Sequence, residues 1–69
     1  MMKLYSTHCP RCKVLEMKLK QKNIDFEIID DKDKVIEIGK ANGIMSAPLL
    51  EINGKIYDFT QAIAEINKQ

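Results

Sequence analysis

Residues 5–13 read Tyr-Ser-Thr-His-Cys-Pro-Arg-Cys-Lys. Residues 3–5, at the start of this stretch, predict a short first β-strand. Pro10 suits the first position of a helix, where its missing N–H costs nothing, and the residues from there to position 22 favour a helix. Cys9 therefore lies between the end of a predicted strand and the start of a predicted helix.

The middle of the chain repeats this alternation of strand and helix. Residues 24–28 alternate apolar and polar side chains at the two-residue period of a strand. Residues 32–41 predict a second helix, with Asp30 and Asp31 as candidate caps and Asn42-Gly43 as its end. Its apolar residues would be Val35, Ile36 and Ile38.

The last third of the chain predicts a hairpin and a final helix. Residues 49–52 and 55–57 read as two strands joined by Asn53-Gly54, a pair that tolerates the positive φ angles of a tight turn. Asp58 would cap the last helix, with Gln61 completing a capping box. The order strand, helix, strand, helix, strand, strand, helix predicts an α/β fold in which the first two strands are parallel.

Size and composition narrow the class of protein. A chain of 69 residues makes one domain, residues 1–69, near the lower limit for a single apolar core. Its 45% hydrophobic and 30% charged content is that of an ordinary globular protein, and its net charge of +1 gives no reason to expect a nucleic acid or an anionic membrane as partner. No apolar run approaches the roughly 20 residues of a membrane span, so we expect a cytoplasmic protein.

The two cysteines admit several chemistries. Cys9 and Cys12 are too close together to form a useful structural disulfide, because so small a loop constrains the unfolded chain little. Zinc needs about four ligands, and His8 is the only other His or Cys in the chain, so a zinc site would require a dimer around the metal. Two inert buried cysteines are a further alternative. We expect no metal and favour a redox couple, the usual role of a Cys-x-x-Cys beside a strand–helix–strand unit.

The predicted position of Cys9 supplies a mechanism. Free backbone N–H groups and the helix dipole at a helix N-terminus favour a negative charge, and hence the thiolate, which alone attacks disulfides. Arg11, Lys13 and His8 add positive charge that would tune the thiol in the same direction. Cys9 would then be the attacking thiol and the more shielded Cys12 the thiol that resolves the mixed disulfide.

The stretch from Tyr5 to Lys13 resembles the active-site segment of glutaredoxins, whose signature is Cys-Pro-x-Cys followed by Lys or Val. The element order, and a proline before the third strand, are similar too, so the resemblance covers nearly the whole chain. It implies a thioredoxin fold, with a four-stranded mixed sheet flanked by three helices, and a cis Ala47–Pro48 bond facing the Cys9 sulfur. The substrate-binding residues it implies are Pro10, Arg11, Ala47, Pro48 and Asp58.

Departures from that pattern bear on the electron donor. Glutathione-using glutaredoxins usually carry a lysine shortly before the first cysteine, where this chain has Ser6 and Thr7. They often have Thr-Val-Pro in place of Ser46-Ala47-Pro48, and Gly-Gly before the acidic residue, where this chain has Ile56-Tyr57 before Asp58. The chain is similar in these respects to the glutaredoxin-like redoxins that feed electrons to ribonucleotide reductase and are recycled by thioredoxin reductase.

The resulting hypothesis is a monomeric thiol–disulfide oxidoreductase that reduces protein disulfides. We expect no bound cofactor, and thioredoxin reductase or glutathione as the source of electrons. The alternative is a non-catalytic redox sensor or binding module with the same fold, in which a Cys9–Cys12 disulfide alters the affinity for a partner.

Overall fold

A computed structural model describes residues 2–69, and the elements follow in the predicted order. The strands are β1 (Met2–Tyr5), β2 (Phe26–Ile29), β3 (Leu49–Ile52) and β4 (Lys55–Tyr57). The helices are α1 (Pro10–Gln21), α2 (Lys32–Ala41) and α3 (Phe59–Asn67). Within the described residues, no helix is long and apolar enough to span a membrane.

The four strands form one mixed sheet in the order β2-β1-β3-β4. β1 pairs in parallel with β2, which confirms the predicted strand–helix–strand unit. β3 pairs antiparallel with both β1 and β4. Asn53 and Gly54 connect β3 to β4 with φ angles of 51° and 84°, so both residues have the positive φ that the predicted tight turn requires.

The two faces of the sheet bury different residues because side chains alternate along a strand. On one face, Leu4 and Leu50 are fully buried against α1 and α3, together with Leu15, Leu19, Ala62 and Ile66. On the other face, Tyr5 and Leu49 pack against Val35 of α2. The sheet therefore holds α1 and α3 on one side and α2 on the other, and the loop of residues 6–9 joins the end of β1 to the start of α1.

The way α2 ends fixes the course of the chain towards β3. The Ile44 N–H donates to the Gly39 carbonyl at 2.8 Å and the Gly43 N–H to the Lys40 carbonyl at 3.3 Å, with Gly43 in the left-handed region at φ 70°. This is the hydrogen-bond pattern of a Schellman motif. A Cβ atom on Gly39 would lie only 2.5 Å from the Ile44 carbonyl oxygen. Ile44, from which the chain continues to β3, is thus held directly against the end of the helix.

Several predicted details were wrong. β2 begins at Phe26 rather than at Ile24, because the Ile24 N–H donates to the Leu19 carbonyl at 3.0 Å and closes the end of α1. Ile29, predicted to lie outside the strand, belongs to it. α1 ends one residue early, at Gln21. Of the three apolar residues named for α2, Val35 is buried and Ile36 is 45% exposed.

Candidate active site

Cys9 is the residue that caps α1. Its backbone is extended, with φ −74° and ψ 165°, and its sulfur accepts a hydrogen bond from the Cys12 N–H at 3.2 Å. Side-chain acceptance from the third residue of a helix is the geometry of an N-cap, here made by sulfur in place of oxygen. The first turn of α1 contains Arg11 and Lys13 and no acidic residue. The half-buried Cys9 sulfur therefore lies at the positive end of the α1 dipole, and the predicted influence of Arg11 and Lys13 on this thiol stays a prediction.

Cys12 lies one turn further along α1 and is only 1% exposed. Both cysteines are free thiols. Burial raises the pKa of the Cys12 thiol, but hydrogen bonds from Cys9, Thr7 and Ser6 outweigh it, so the net direction of this pKa is downward.

The loop between β1 and α1 is held by its own polar groups. His8 has a positive φ of 60°, and its N–H donates to the Ser6 hydroxyl at 3.0 Å. The His8 ring nitrogen Nε2 lies 3.3 Å from a carboxylate oxygen of Asp30. Asp30 was a candidate helix cap, but Asp31 caps α2 and Asp30 contacts the loop instead. The predicted influence of His8 on the thiol stays a prediction.

Arg11, between the two cysteines, contacts the start of α3. The Arg11 guanidinium lies over the ring of Phe59, 5.3 Å from its centroid, and so connects the start of α1 to the start of α3. Pro10 and Lys13 are exposed. Pro10 occupies the first helical position, as predicted.

The Ala47–Pro48 peptide bond is cis, which confirms that part of the expectation. Pro48 is fully buried immediately before β3. Tyr5 pairs with Leu49, so the next positions along the two strands bring the loop before Cys9 beside residues 47–48. Thr7, Ser46 and Ala47 accordingly line one groove. A role of Pro48 and Ala47 in binding substrate stays a prediction.

The comparisons with known proteins agree with this arrangement. A protein family described as "Thioredoxin domain" matches residues 1–59, which is most of the chain and includes both cysteines and the cis proline. The chain belongs to the thioredoxin-domain family. No curated protein matches it closely enough to count as a relative. The family establishes a thioredoxin-like α/β fold with a four-stranded mixed sheet, and the narrower likeness to glutaredoxins stays a prediction.

Asp58 has a structural duty in this thioredoxin-domain protein. Its carboxylate accepts from the Gln61 N–H at 2.8 Å, and the Gln61 side chain accepts from the Asp58 N–H at 3.3 Å. The predicted capping box of α3 is therefore confirmed. The suggested contact between Asp58 and substrate stays a prediction.

Sequence reasoning missed Ser6 and Thr7 as parts of the site. The sequence pattern drew attention to these two residues only because glutaredoxins that use glutathione usually have a lysine there. In the structure, Ser6 is a buried polar residue and Thr7 Oγ1 lies 4.0 Å from the Cys12 sulfur. Their position shortly before Cys9 could have indicated this role. The polar residues that join a strand to a helix lie beside the first turn of that helix.

We predict that Ser6→Ala raises the pKa of the Cys12 thiol. The Ser6 hydroxyl is one of the groups whose hydrogen bond lowers that pKa, so its loss makes the thiolate less stable. The absorbance of the thiolate, followed as the reduced protein is titrated with base, should show the first proton loss at a higher pH. Thr60→Ala, which removes an exposed hydroxyl on α3, is the control and should leave the titration unchanged.

Proposed function

We propose that this thioredoxin-domain protein is a thiol–disulfide oxidoreductase that reduces protein disulfides through Cys9 and Cys12. The observation that carries the proposal is the position of the Cys9 sulfur, which caps α1 and accepts the Cys12 N–H at 3.2 Å. The same sulfur is half-exposed, so a substrate disulfide can reach it. An accessible thiol at a helix N-terminus is the kind of attacking group that disulfide exchange requires.

The reaction consumes one substrate disulfide and the two thiols of the protein. The Cys9 thiolate attacks one sulfur of the substrate disulfide, forms a mixed disulfide, and releases the other substrate sulfur as a thiolate that takes up a proton. Cys12 loses its proton and attacks the Cys9 sulfur, which releases the second substrate thiol. Two electrons pass to the substrate, and the protein is left with a Cys9–Cys12 disulfide.

Burial divides the work between the two cysteines. Cys12 is 1% exposed, so a protein substrate meets Cys9 first. The spacing of three residues places Cys12 one helical turn away, on the same side of α1, where it meets the mixed disulfide as soon as that forms. Pro48 and Ala47, beside this loop, would shape the surface on which the substrate lies.

The electron donor is the finer part of the proposal. Ser6 and Thr7 stand where glutathione-using relatives of the glutaredoxin type usually carry a lysine, and Gly-Gly is absent after the hairpin. These replacements favour recycling by thioredoxin reductase over recycling by glutathione. With thioredoxin reductase as its reductant, the protein would be a cytoplasmic monomer that donates electrons to ribonucleotide reductase or a similar enzyme.

Turnover of a protein disulfide with each reductant tests the proposal. Reduction of insulin disulfides should be catalytic with thioredoxin reductase and slower with glutathione plus glutathione reductase. Catalysis with glutathione alone would reverse the choice of donor. Reversible oxidation of Cys9 and Cys12 without turnover of any disulfide would instead favour the redox sensor.

Two substitutions at Asp58 separate its two suggested duties. Asp58→Ala removes the cap of α3 and should lower the free energy of unfolding by about 1 kcal/mol. Asp58→Asn keeps an oxygen that can accept the Gln61 N–H, so stability should remain near that of the unmodified protein. We expect its KM for a glutathione disulfide to be unchanged as well. An increase in KM with Asn, at unchanged stability, would assign Asp58 to glutathione.

A further inference from the structure

A groove lies between α2 and the segment that leads to the cis proline. Its floor is apolar and comprises Val35, Ile36, Ile44, Met45, Ala47 and Leu49. Thr7 lines the groove too, so the groove adjoins the loop that carries Cys9. Met45 is 86% exposed and Ile36 is 45% exposed, which leaves large apolar side chains facing solvent beside the proposed reaction centre.

The two charged residues that line this groove are both basic. Lys32 and Lys40 line it and no acidic residue does, although the whole chain carries a net charge of only +1. Among residues 2–69, neither lysine ammonium lies within ion-pair distance of a carboxylate. The two positions are eight residues apart on α2, about 12 Å along the helix, which is the length of about four residues of extended chain.

The size of the groove limits what can fill it. Its volume is about 170 Å³. Sites for drug-sized ligands and cofactors usually measure about 300–1,000 Å³, so this groove suits one or two side chains rather than a cofactor. Glutathione has the negative charge that the lysines would attract, but it has no large apolar side chain for the floor.

We propose that this groove selects protein substrates in which a large apolar residue lies within a few positions of the reactive cysteine and is flanked by acidic residues. The apolar side chain fills the groove, and the acidic residues pair with Lys32 and Lys40. The inference rests on the proposed disulfide reductase activity and adds a substrate class to it. Lys32 and Lys40 are then residues that determine specificity.

Peptides that carry a chromophoric mixed disulfide test this selection. Each peptide has one cysteine joined to thionitrobenzoate; the Cys9 thiolate attacks the peptide sulfur and releases the coloured thiolate, and Cys12 then frees the peptide thiol. The first peptide has leucine between two aspartates, the second has lysines for the aspartates, and the third has alanine for the leucine. The glutathione mixed disulfide is the fourth probe.

The reduced protein should react with the acidic peptide about tenfold faster than with the basic one, since two exposed ion pairs together contribute about one factor of ten. Alanine for leucine should slow the reaction about fivefold, as expected for partial burial of that side chain. The double variant Lys32→Glu/Lys40→Glu should reverse the charge preference. Lys22→Glu/Lys34→Glu changes the net charge equally at exposed positions outside the groove and should keep it.

A second experiment measures binding to the groove separately from disulfide exchange. The same peptides with serine for cysteine carry a fluorophore, and their affinities are taken from fluorescence anisotropy. Selective binding without release of thionitrobenzoate would support the groove and contradict the proposed function. Equal rates and affinities for all peptides would overturn the groove and leave the function standing. The groove proposal would also be overturned by a further pair of results. In that pair, Lys32→Glu/Lys40→Glu slows the reactions of the glutathione mixed disulfide and of the acidic peptide equally, and the protein reacts with the leucine and alanine peptides at the same rate.

Discussion

Replacement of Cys9 by serine is expected to reduce disulfide-reductase activity to the rate of buffer alone. A serine hydroxyl is not ionised near neutral pH and cannot form the mixed disulfide, so the first step of exchange is lost. The variant should remain folded, because serine is among the preferred N-cap residues and can accept the same Cys12 N–H. The loss of activity therefore reports on the chemistry rather than on unfolding.

Cys12→Ser is the matched variant for the second step. Cys9 can still attack, but the buried resolving thiol is gone, so a mixed disulfide between Cys9 and the substrate should accumulate. Intact-protein mass spectrometry should show one substrate molecule per chain, which dithiothreitol removes. Full reductase activity in Cys9→Ser, or a mixed disulfide on Cys12 in that variant, would contradict the assignment of the attacking thiol.

Gly39→Ala is expected to lower the free energy of unfolding, although glycine is a poor helix former. In an exposed helix this change is stabilising by about 1 kcal/mol, but here the new Cβ would lie 2.5 Å from the Ile44 carbonyl oxygen, and a backbone atom cannot move aside cheaply. Overpacking costs about 1–3 kcal/mol, which outweighs the gain in helix propensity. A net loss near 1 kcal/mol lowers the Tm of a domain of this size by about 4–8 °C.

The same substitution should slow disulfide reduction even at temperatures where the variant stays folded. Displacement of Ile44 moves the segment that leads to Ala47 and Pro48 beside the Cys9 loop. Gly43→Ala is the control: its φ of 70° makes a side chain unfavourable, but a Cβ atom at this position would have no neighbouring atom within 4 Å. It should lose stability and keep its activity when folded. A raised Tm in Gly39→Ala would show that the helix end is not tightly packed.

Local patterns predicted most of the fold correctly. The Asn53-Gly54 turn, the Asp58 capping box and the parallel pairing of β1 with β2 each depend on short-range geometry or on a general rule of handedness. The position of Cys9 at the start of α1 followed from Pro10, which cannot lie far inside a helix. These features need no knowledge of distant contacts.

The features that were missed depend on contacts between distant parts of the chain. Ile24 fits the alternating apolar and polar pattern of a strand, but its N–H donates to the Leu19 carbonyl and closes the end of α1. The pattern alone does not show whether this residue belongs to the strand or to the end of the helix. Asp30 and Asp31 are equivalent as candidate helix caps in the sequence. In the structure Asp31 caps α2, whereas Asp30 contacts His8 in the loop before α1. The groove likewise joins α2 to residues 44–49, a pairing that no local pattern shows.

The use of Cys9 as a helix cap makes the stability of α1 depend on the chemical state of one sulfur. The Cys12 N–H donates to the Cys9 sulfur and closes the first turn of the helix, and a charged sulfur would accept this hydrogen bond more strongly than a neutral one. Any reagent that neutralises this sulfur, an alkylating agent for example, weakens the start of α1 as well as blocking exchange. The folding equilibrium of the domain and the reactivity of its proposed nucleophile are therefore thermodynamically linked through this hydrogen bond.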